Sequence, residues 1–552
     1  MDVGEMQKKL SQWAQENSTE QRRDLYSLLC NELWLRVAHH HVNSNQGRET
    51  AGIDSITMSN FNGNLAGNLE RLKEALNAKT FEPMPVRRMY IPKANGKKRP
   101  LGIPTIHDRI VQEALRMILE PIWESDFSTH AYGFRPNRST YDAVSYIANR
   151  STGQGKAYQW VIEGDITSYF DTIPHRRLIK AIKKRVADRD IRALLWKFLR
   201  AGVMEQGTQK ATLTGTPQGG IISPLLANIY LHELDKHMES KYLNLSDVER
   251  ARRRRQGQSN FLYVRYADDW VVLCNGTKEQ AYTMKEELQT VLENMGLKLS
   301  EEKTKITHIT EGFSFLGYRI IREMGTSKMV TKVEIPEAAM KKFRHKTREM
   351  LAPRTTKESM SAKIRALNQF IRGWCNYYRG TSVPSKPFKK LTNEIFWNMA
   401  HWLGRKYKIS MPEVMQRYVE GSTFKTKSTT LIMPSEYKAK KLMAKTWHNP
   451  YTAKEEIERE KFLSYENLWN GKEGDRLGWH DLREEVILTK GTTCYLCGTE
   501  LHPSEVEIDH VIPRGRFKEP KEADRMKHLQ PICTSCHRAK TKIDQKVLSR
   551  MR

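Results

Sequence analysis

The stretch from Phe261 to Cys274, FLYVRYADDWVVLC, constrains the fold more than any other part of the chain. Apolar, β-branched and aromatic residues flank two adjacent aspartates, which predicts two short buried strands joined by a tight acidic turn. Neighbouring carboxylates repel, and each raises the pKa of the other unless a cation lies between them. Mg²⁺, which prefers oxygen ligands, is the usual partner of such a pair. The alternative is a solvated Asp-Asp turn, and the rest of the chain decides between them.

A second acidic position lies upstream. The segment Trp160–Ile173, WVIEGDITSYFDTI, predicts a buried strand that ends at Asp165. An aspartate at a strand end often serves only as a cap. Beside Asp268 and Asp269, however, it would complete a cluster of three carboxylates able to hold two metal ions. Two such ions clamp the attacking and leaving oxygens of an in-line phosphoryl displacement.

The predicted elements around these acids mix helices with strands. We expect an apolar helix at Ser223–Met238, an amphipathic helix at Lys278–Met295 and a strand at Phe313–Ile320, FSFLGYRI. The basic run Glu249–Gln256, ERARRRRQ, is predicted as a solvated loop, with a phosphate contact as the alternative. This order favours an α+β core whose acids gather at one edge.

The chain is strongly basic. It has 552 residues, enough for about three or four domains. Its 92 Lys and Arg residues exceed its 64 Asp and Glu residues by 28 and are spread over the whole length. Such a balance indicates a nucleic-acid partner rather than a membrane, and no apolar run approaches the roughly 20 residues of a membrane span. Residues 1–16 contain acids and no apolar segment, so we expect no secretory signal and a cytoplasmic protein.

Two segments combine basic residues with turns or aromatic residues. Arg87–Thr105 predicts a hairpin with its turn at Ala94-Asn95-Gly96, and Lys93 and Arg99 would lie on that hairpin. It is either a solvated charged hairpin or a clamp on phosphates. His130–Val144, HAYGFRPNRSTYDAV, interleaves aromatic residues with arginines, which suits a nucleotide strand and a packed loop equally well.

The C-terminal tail contains two Cys-x-x-Cys pairs, Cys494/Cys497 and Cys533/Cys536. Their spacing predicts a tetrahedral zinc site, and a tail of some sixty residues with few apolar groups needs such a site to fold. Among the histidines of the tail, His510, His528 and His537 follow or lie between the pairs. Either they only cap the zinc fold, or with Asp509 they form a metal site in which one imidazole is the general base of phosphodiester hydrolysis.

The motifs together resemble those of one family over nearly the full length. YADD resembles the catalytic box of reverse transcriptases, and three further blocks resemble those of group II intron-encoded proteins. FIRGWCNYYR resembles their maturase or thumb region, domain X, and the tail resembles the HNH endonuclease domain that some members carry. The matching segments are YADD (266–269), RPLGIPT (99–105), YGFRPNRST (132–140), TPQGG (216–220) and FIRGWCNYYR (370–379).

The resemblance implies a right-hand polymerase with an α-helical thumb and a small zinc-stapled ββα-metal domain. Fingers and palm would occupy 1–334 with an N-terminal extension at 1–85, domain X 335–435, a basic DNA-binding connector 436–485 and the HNH domain 486–552. The implied site residues are polymerase acids and Mg²⁺ ligands Asp165, Asp268 and Asp269; nucleotide contacts Lys93, Arg99 and Gln218; the sugar-gating Phe170; general base His510; catalytic-metal ligands Asp509, His528 and His537; and zinc ligands Cys494, Cys497, Cys533 and Cys536.

The tail departs from the family pattern at one position, since His528 occupies the place of the middle Asn of the HNH box. The resemblance implies a bacterial enzyme that binds its group II intron RNA and assists splicing. It would then nick target DNA and copy the intron from dNTPs by target-primed synthesis, and it could act as a homodimer. The alternatives are a non-catalytic RNA-binding splicing factor and a reverse transcriptase of the defence or diversity-generating type.

Overall fold

The computed structural model of the protein describes most of the chain. The described residues are 2–92, 96, 98–152, 158–205, 208–210, 214–216, 219–326, 329–443, 447–452, 486, 490–499, 501, 506–512, 528–533, 536–537 and 540. Lys93, Gln218 and most of the predicted connector therefore lie outside the described residues.

Helices dominate the first eighty residues and the region after residue 335, as the sequence predicts. The helices are α1 (Val3–Glu16), α2 (Tyr26–Leu29), α3 (Glu32–Ser44), α4 (Met58–Asn62), α5 (Leu65–Asn77), α6 (Ile106–Glu124), α7 (Thr140–Ser151), α8 (Tyr169–Thr172), α9 (His175–Lys183), α10 (Arg189–Arg200), α11 (Ser223–Met238), α12 (Asp247–Arg255), α13 (Lys278–Asn294), α14 (Glu337–Met350), α15 (Met360–Tyr378), α16 (Ser385–Tyr407) and α17 (Met411–Tyr418). A π-helical turn follows α11 at Glu239–Leu243.

In the described parts of the chain, the strands form five separate sheets. They are β1 (Val86–Pro92), β2 (Lys98–Ile103), β3 (Trp160–Gly164), β4 (Val203–Glu205), β5 (Thr208–Lys210), β6 (Phe261–Tyr266), β7 (Asp269–Cys274), β8 (Lys305–His308), β9 (Phe313–Phe315), β10 (Tyr318–Met324), β11 (Met329–Glu334), β12 (Val419–Glu420), β13 (Thr423–Phe424), β14 (Val506–His510) and β15 (Leu529–Cys533). The sheet orders are β6-β7-β3-β8, β2-β1-β4-β5, β11-β10-β9, β12-β13 and β14-β15. The mixed α+β fold agrees with the prediction.

The antiparallel sheet β6-β7-β3-β8 lies between two apolar cores. Side chains alternate along a strand, so β6 sends Tyr263 to one core and Leu262 and Val264 to the other. The first core contains the N-terminal helices together with α6, α9, α10 and α11, and the second contains the helices after residue 335. Apolar residues on both faces explain why the strands flanking the acidic turn are nearly continuous hydrophobic runs.

Two predictions of local structure are wrong. Phe313–Ile320 is not one strand, because Leu316 and Gly317 have positive φ angles of 48° and 73° and form the turn between β9 and β10. The basic run lies in α12 rather than in a loop. A capping box starts this helix, in which the Glu249 amide donates to the Ser246 hydroxyl and the Glu249 carboxylate accepts from the Ser246 amide. Arginines in its last turn suit the negative end of the helix dipole.

Most aromatic residues of α15 pack on the second core, whereas Tyr377 keeps part of its surface exposed. Trp374 packs against Phe343 and Tyr378, with ring centroids 4.6 Å apart in both pairs. Tyr377 stacks on Tyr318 and donates from its hydroxyl to the carbonyl of Leu316 at 2.6 Å. These contacts join α15 to the hairpin β9-β10, next to the central sheet.

Candidate functional site

The central sheet brings the three predicted aspartates to one end of two neighbouring strands. Antiparallel pairing places Gly164 of β3 opposite Trp270 of β7, so the same register sets Asp165 opposite Asp269. Asp268 lies one residue earlier, in the turn between β6 and β7. The positions are about a hundred residues apart in sequence, and only this strand pairing makes them neighbours.

The electrostatics of the cluster suit a divalent cation. Burial raises the pKa of Asp268, and the nearby Asp165 charge raises it further. Partial burial, followed by the charges of Asp268 and Asp165, raises the pKa of Asp269 to about 6, although that residue keeps much of its surface open to solvent. Mutual repulsion of this kind is relieved by a hard cation, so the donor set fits Mg²⁺.

Lys303 also belongs to this site. Its Nζ lies 2.8 Å from Oδ2 of Asp165, and this ion pair raises the pKa of the lysine. The amide of Ser300 donates to the Asp165 carbonyl at 2.8 Å, which holds the segment before β8 against the end of β3. The sequence analysis did not assign Lys303 to the site, because nothing local marks one lysine among 92 Lys and Arg residues.

Two glycines allow β3, β7 and the acidic turn to be packed closely. A Cβ atom on Gly164 would lie 2.1 Å from the indole ring of Trp270, which covers the end of β3. A Cβ on Gly133 would lie 2.3 Å from the amide nitrogen of Ala267, in the acidic turn. Any larger residue at either position would displace an element that carries an aspartate.

The loop containing Gly133 is packed rather than open. Arg135 is buried and forms a two-pronged ion pair with Glu124, at 2.7 Å for the closer nitrogen. The Arg138 guanidinium lies over the rings of Tyr132 and Trp447, at 5.4 and 4.8 Å from their centroids. The stretch is therefore packed around its two arginines while the Phe134 side chain is half exposed, and a contact with a nucleotide strand stays a prediction. The loop forms a parallel bridge between Ala131 and Arg265 of β6.

Two predicted nucleotide contacts lie near the acids, and two lie outside the described residues. Arg99 of β2 is close enough for its positive charge to offset part of the rise in the pKa of Asp268 that burial causes. Phe170, in α8, meets Phe134 edge to face at 6.3 Å between centroids. Lys93 and Gln218 are outside the described residues. On either side of Gln218, the Thr216 amide donates to the Phe170 carbonyl at 2.7 Å, and a Cβ on Gly219 would lie 2.3 Å from the Gly102 carbonyl oxygen.

The four tail cysteines form a compact cluster. The sulfur atoms of Cys494, Cys497, Cys533 and Cys536 all lie within 4.8 Å of one another, as a tetrahedral metal requires. Among the described residues, no other group of three or more histidines, cysteines or acids is this compact. The donor set of four thiols fits zinc.

The predicted tail site is partly assembled next to that cluster. Asp509 accepts a hydrogen bond from the Tyr495 hydroxyl at 2.6 Å, and its Oδ1 lies 3.8 Å from Nε2 of His537. The other ring nitrogen of His537 contacts Glu507, a residue that the sequence analysis did not assign. Lys540 lies 3.2 Å from Asp509.

The remaining two histidines lie on or beside the same two strands. Residue His510 ends β14 and pairs with Leu529 of β15, and its carbonyl accepts from Lys540 at 2.8 Å. The carbonyl of His528 accepts from the Val511 amide at 2.9 Å. The hairpin β14-β15 therefore carries Asp509 and His510 on one strand and has His528 at the start of the other.

Comparisons with known proteins match three separate parts of the chain. Residues 91–320 match the family model described as reverse transcriptase (RNA-dependent DNA polymerase), 340–419 match the group II intron maturase-specific domain, and 494–542 match HNH endonuclease. The group II intron-encoded protein LtrA of Lactococcus lactis is 32% identical over 96% of this chain and 97% of its own. The chain belongs to the group II intron-encoded proteins.

This intron-encoded protein is a reverse transcriptase and maturase with an endonuclease domain. Protein YkfC of Escherichia coli is 41% identical over 62% of the chain and 95% of its own length. A putative COX1/OXI3 intron 2 protein of Saccharomyces cerevisiae is 27% identical over 91% of the chain and 64% of its own length. Within the described parts of this intron-encoded protein, none of the helices has both the length and the apolar character to cross a membrane.

Proposed function

We propose that this protein copies its group II intron into target DNA. The tail nicks one DNA strand, and the polymerase site extends the exposed 3′-hydroxyl with the intron RNA as template. One observation carries the polymerase half of the proposal. Asp165, Asp268 and Asp269 come from two adjacent strands, and the two residues of the turn have raised pKa values through burial and mutual repulsion.

In this proposal the central sheet is the palm, and the sheet containing β1 and β2 belongs to the fingers. Asp165 and Asp268 are the principal metal ligands, with Asp269 beside them. Divalent cations held there would stabilise the charge on the attacking 3′-oxygen and on the leaving pyrophosphate oxygen. Arg99 contacts the triphosphate of the incoming dNTP, together with Lys93 and Gln218. The Phe170 ring lies under the sugar of the dNTP and disfavours ribonucleotides.

The maturase region provides the thumb and a surface for intron RNA. Helix α15 presents an open groove lined by Arg365, Asn368, Gln369, Arg372, Gly373 and Asn376. Two guanidinium groups and the amides of Gln369 and Asn376 on one helix face suit phosphate and sugar oxygens, whereas the Asn368 amide is bonded to the backbone of Thr430 and Ile432. The helices α15 and α16, which are 19 and 23 residues long, also carry the apolar residues that hold this region against the central sheet.

Primer extension tests the polymerase assignment. The double variant D268A/D269A should lose DNA synthesis on an RNA template with Mg²⁺ to below detection, because the cation then has one carboxylate left. Its affinity for intron RNA should match the wild type, since neither residue lies in the maturase region. The matched control D247N/E249Q alters two acids of α12, and its synthesis should stay within about twofold, as for surface changes away from the site. Undiminished synthesis by D268A/D269A would refute the assignment.

The same assay separates the two alternatives. A non-catalytic splicing factor would bind intron RNA and extend no primer in wild-type form. A defence or diversity-type enzyme would extend primers and show no preference for intron RNA over an unrelated structured RNA.

In the tail, we propose that His510 is the general base that activates water for DNA cleavage. Asp509, His537 and His528 would hold the catalytic cation, and His537 is oriented through Glu507. Cys494, Cys497, Cys533 and Cys536 would bind the structural zinc. We expect H510A to lose DNA nicking while its zinc content and primer extension are unchanged. The control H401A removes a histidine of α16, outside the tail. Nicking by H510A at the wild-type rate would contradict the assignment.

A further inference from the structure

Arg265 lies behind the acidic turn. Among the described residues, it is the largest charged side chain that has no solvent exposure. It lies in β6 and points toward α11, where its Nε and Nη2 donate to the two carboxylate oxygens of Asp235 at 2.7 and 2.6 Å. Asp235 is equally buried and also accepts from the Tyr263 hydroxyl at 2.8 Å. One edge of the guanidinium is thus fixed in a two-pronged ion pair.

The other edge of the guanidinium reaches the turn itself. Nη1 donates to the carbonyl of Ala267 at 3.0 Å and to Oδ1 of Asn228 at 2.9 Å. Ala267 has a φ angle of 56°, in the left-handed region that a residue with a Cβ rarely adopts unless neighbouring contacts hold it there. The carbonyl that Arg265 holds is the one directly before Asp268.

Asn228 extends the brace to the loop on the other side of the turn. Its Nδ2 donates to the Gly133 carbonyl at 2.8 Å. Gly133 packs so closely on the turn that a Cβ atom at this position would collide with the Ala267 amide. The backbone of Arg265 also joins the same loop, since its carbonyl accepts from Tyr132 and its amide donates to His130. The turn is therefore held by α11 behind it and by the Gly133 loop beside it.

We infer that Arg265 is a positioning residue of the polymerase reaction: with Asp235 and Asn228, it holds the left-handed Ala267 and so aims the Asp268 carboxylate at the cation. A buried ion pair is weak evidence for stability alone, because apolar residues of similar volume often serve as well. Only a planar guanidinium can bind a carboxylate with one edge and a turn carbonyl with the other. This inference rests on the proposed assignment of the aspartates.

The test replaces Arg265 with lysine in the full-length protein. R265K keeps a positive charge against Asp235 but cannot reach both partners. We expect the half-saturating Mg²⁺ concentration for primer extension to rise, and the affinity for Mn²⁺ measured by paramagnetic resonance to fall, by about tenfold, as for other residues that orient metal ligands. The KM for dNTP and the affinity for intron RNA should be unchanged.

The matched control is R185K. Arg185 is also buried, with an ion pair to Asp126 at 3.0 Å and hydrogen bonds to the carbonyls of Ala14 and Asn17, but it lies far from the turn in sequence and packs on the N-terminal helices. R185K should lower the melting temperature as R265K does and leave both metal measurements at wild-type values. N228A removes an amide and no charge. It should raise the half-saturating Mg²⁺ concentration and lower the Mn²⁺ affinity by a smaller factor, and it replaces R265K in the test if R265K does not fold.

The outcomes separate this inference from the proposed function. A wild-type protein that extends no primer would refute the polymerase assignment itself. An active wild type whose R265K and N228A variants keep the wild-type Mg²⁺ and Mn²⁺ dependence would overturn the role of Arg265 alone. Equal loss of metal affinity in R265K and R185K would also overturn it, because the effect would then follow from destabilisation.

Discussion

The two candidate metal regions of this protein are held in opposite ways. The aspartates lie at the end of a sheet that separates two large apolar cores, and the turn that carries two of them is braced by buried hydrogen bonds. The hairpin β14-β15 of the tail has a buried apolar cluster of only Val486, Val506, Ile508 and Leu529 among the described residues. We therefore propose that the tail needs its cysteine cluster to fold, because a core of that size stabilises little. In this proposal the polymerase site is already formed before metal binds, whereas the tail folds only when metal binds.

Loss of one zinc ligand should have the largest effect and should be confined to the tail. Structural zinc contributes about 10–16 kcal/mol to the folding of small domains, far more than the apolar cluster of the hairpin can. We expect C533S to lose the bound zinc, to become sensitive to protease after residue 486 and to nick no DNA. Primer extension should stay within about twofold of the wild type.

Cys30 supplies the control for this change. C30S also replaces a cysteine, but one outside the cluster, and it should keep zinc, nicking and primer extension. A C533S protein that retained zinc and wild-type nicking would show that the tail does not need its cluster, and the contrast between the two regions would fail.

A methyl group at Gly133 should damage the polymerase site while sparing the tail. The added Cβ would lie 2.3 Å from the Ala267 amide, so the turn or the loop must move. Overpacking of this kind costs about 1–3 kcal/mol, and we expect a lower melting temperature with primer extension reduced more than about tenfold. G47A is the control, because nothing lies within 4 Å of a Cβ there. Equal activity of G133A and G47A would mean that the turn is not tightly held.

The pH dependence of DNA synthesis should reflect the crowding of the acids. Asp269 has a pKa of about 6, and only its ionised form attracts a cation. At low, fixed Mg²⁺ we expect activity to fall as the pH decreases through about 6, with RNA binding measured in parallel to show that the substrate remains bound. A higher Mg²⁺ concentration should move the midpoint to lower pH, because the cation competes with the proton. If the pH midpoint of activity did not change with Mg²⁺ concentration, the titration would belong to another group.

The smallest expected effect concerns stability. The pKa of Asp269 in the folded protein is above the ordinary value of 3.8, so the folded state binds more protons between about pH 4 and 6. Its contribution therefore becomes unfavourable as the pH rises through that window and stays so at pH 7. D269N should stabilise the metal-free protein at pH 7 by about 1 kcal/mol, since solvent exposure of the residue screens part of the repulsion. At pH 4 the gain should vanish, and Mg²⁺ at pH 7 should reverse it.

The sequence predicts elements whose signal is local. Alternating and continuous apolar runs gave β3, β6 and β7, and helical spacing gave α11 and α13, with ends within one residue of those observed. It misjudged two places where a single short feature overrides the run. A positive φ at Leu316 breaks the predicted strand, and the capping box at Ser246 starts a helix within the arginine-rich stretch.

For a related reason, the sequence predicts only some of the residues of the candidate site. Asp165, Asp268 and Asp269 are found because acids next to buried strands are unusual in sequence. Lys303 is not found, because one lysine looks like any other until its ion pair with Asp165 is seen. Arg265 sits in a run of apolar residues and gives no sign of which partner neutralises it.

By itself, the sequence determines which acids, cysteines and histidines are present, which strands and helices surround them and which family they belong to, because these follow from residue types at short spacings. Only the tertiary structure decides how the YADD turn is held. Strand pairing brings Asp165 opposite Asp269, Trp270 covers Gly164, and a buried arginine reaches from Asp235 to the carbonyl before Asp268. Each of these contacts joins residues that are distant in sequence or that lie in an apolar run without a local signal. Only packing in the folded protein fixes the distance between the two contacting residues.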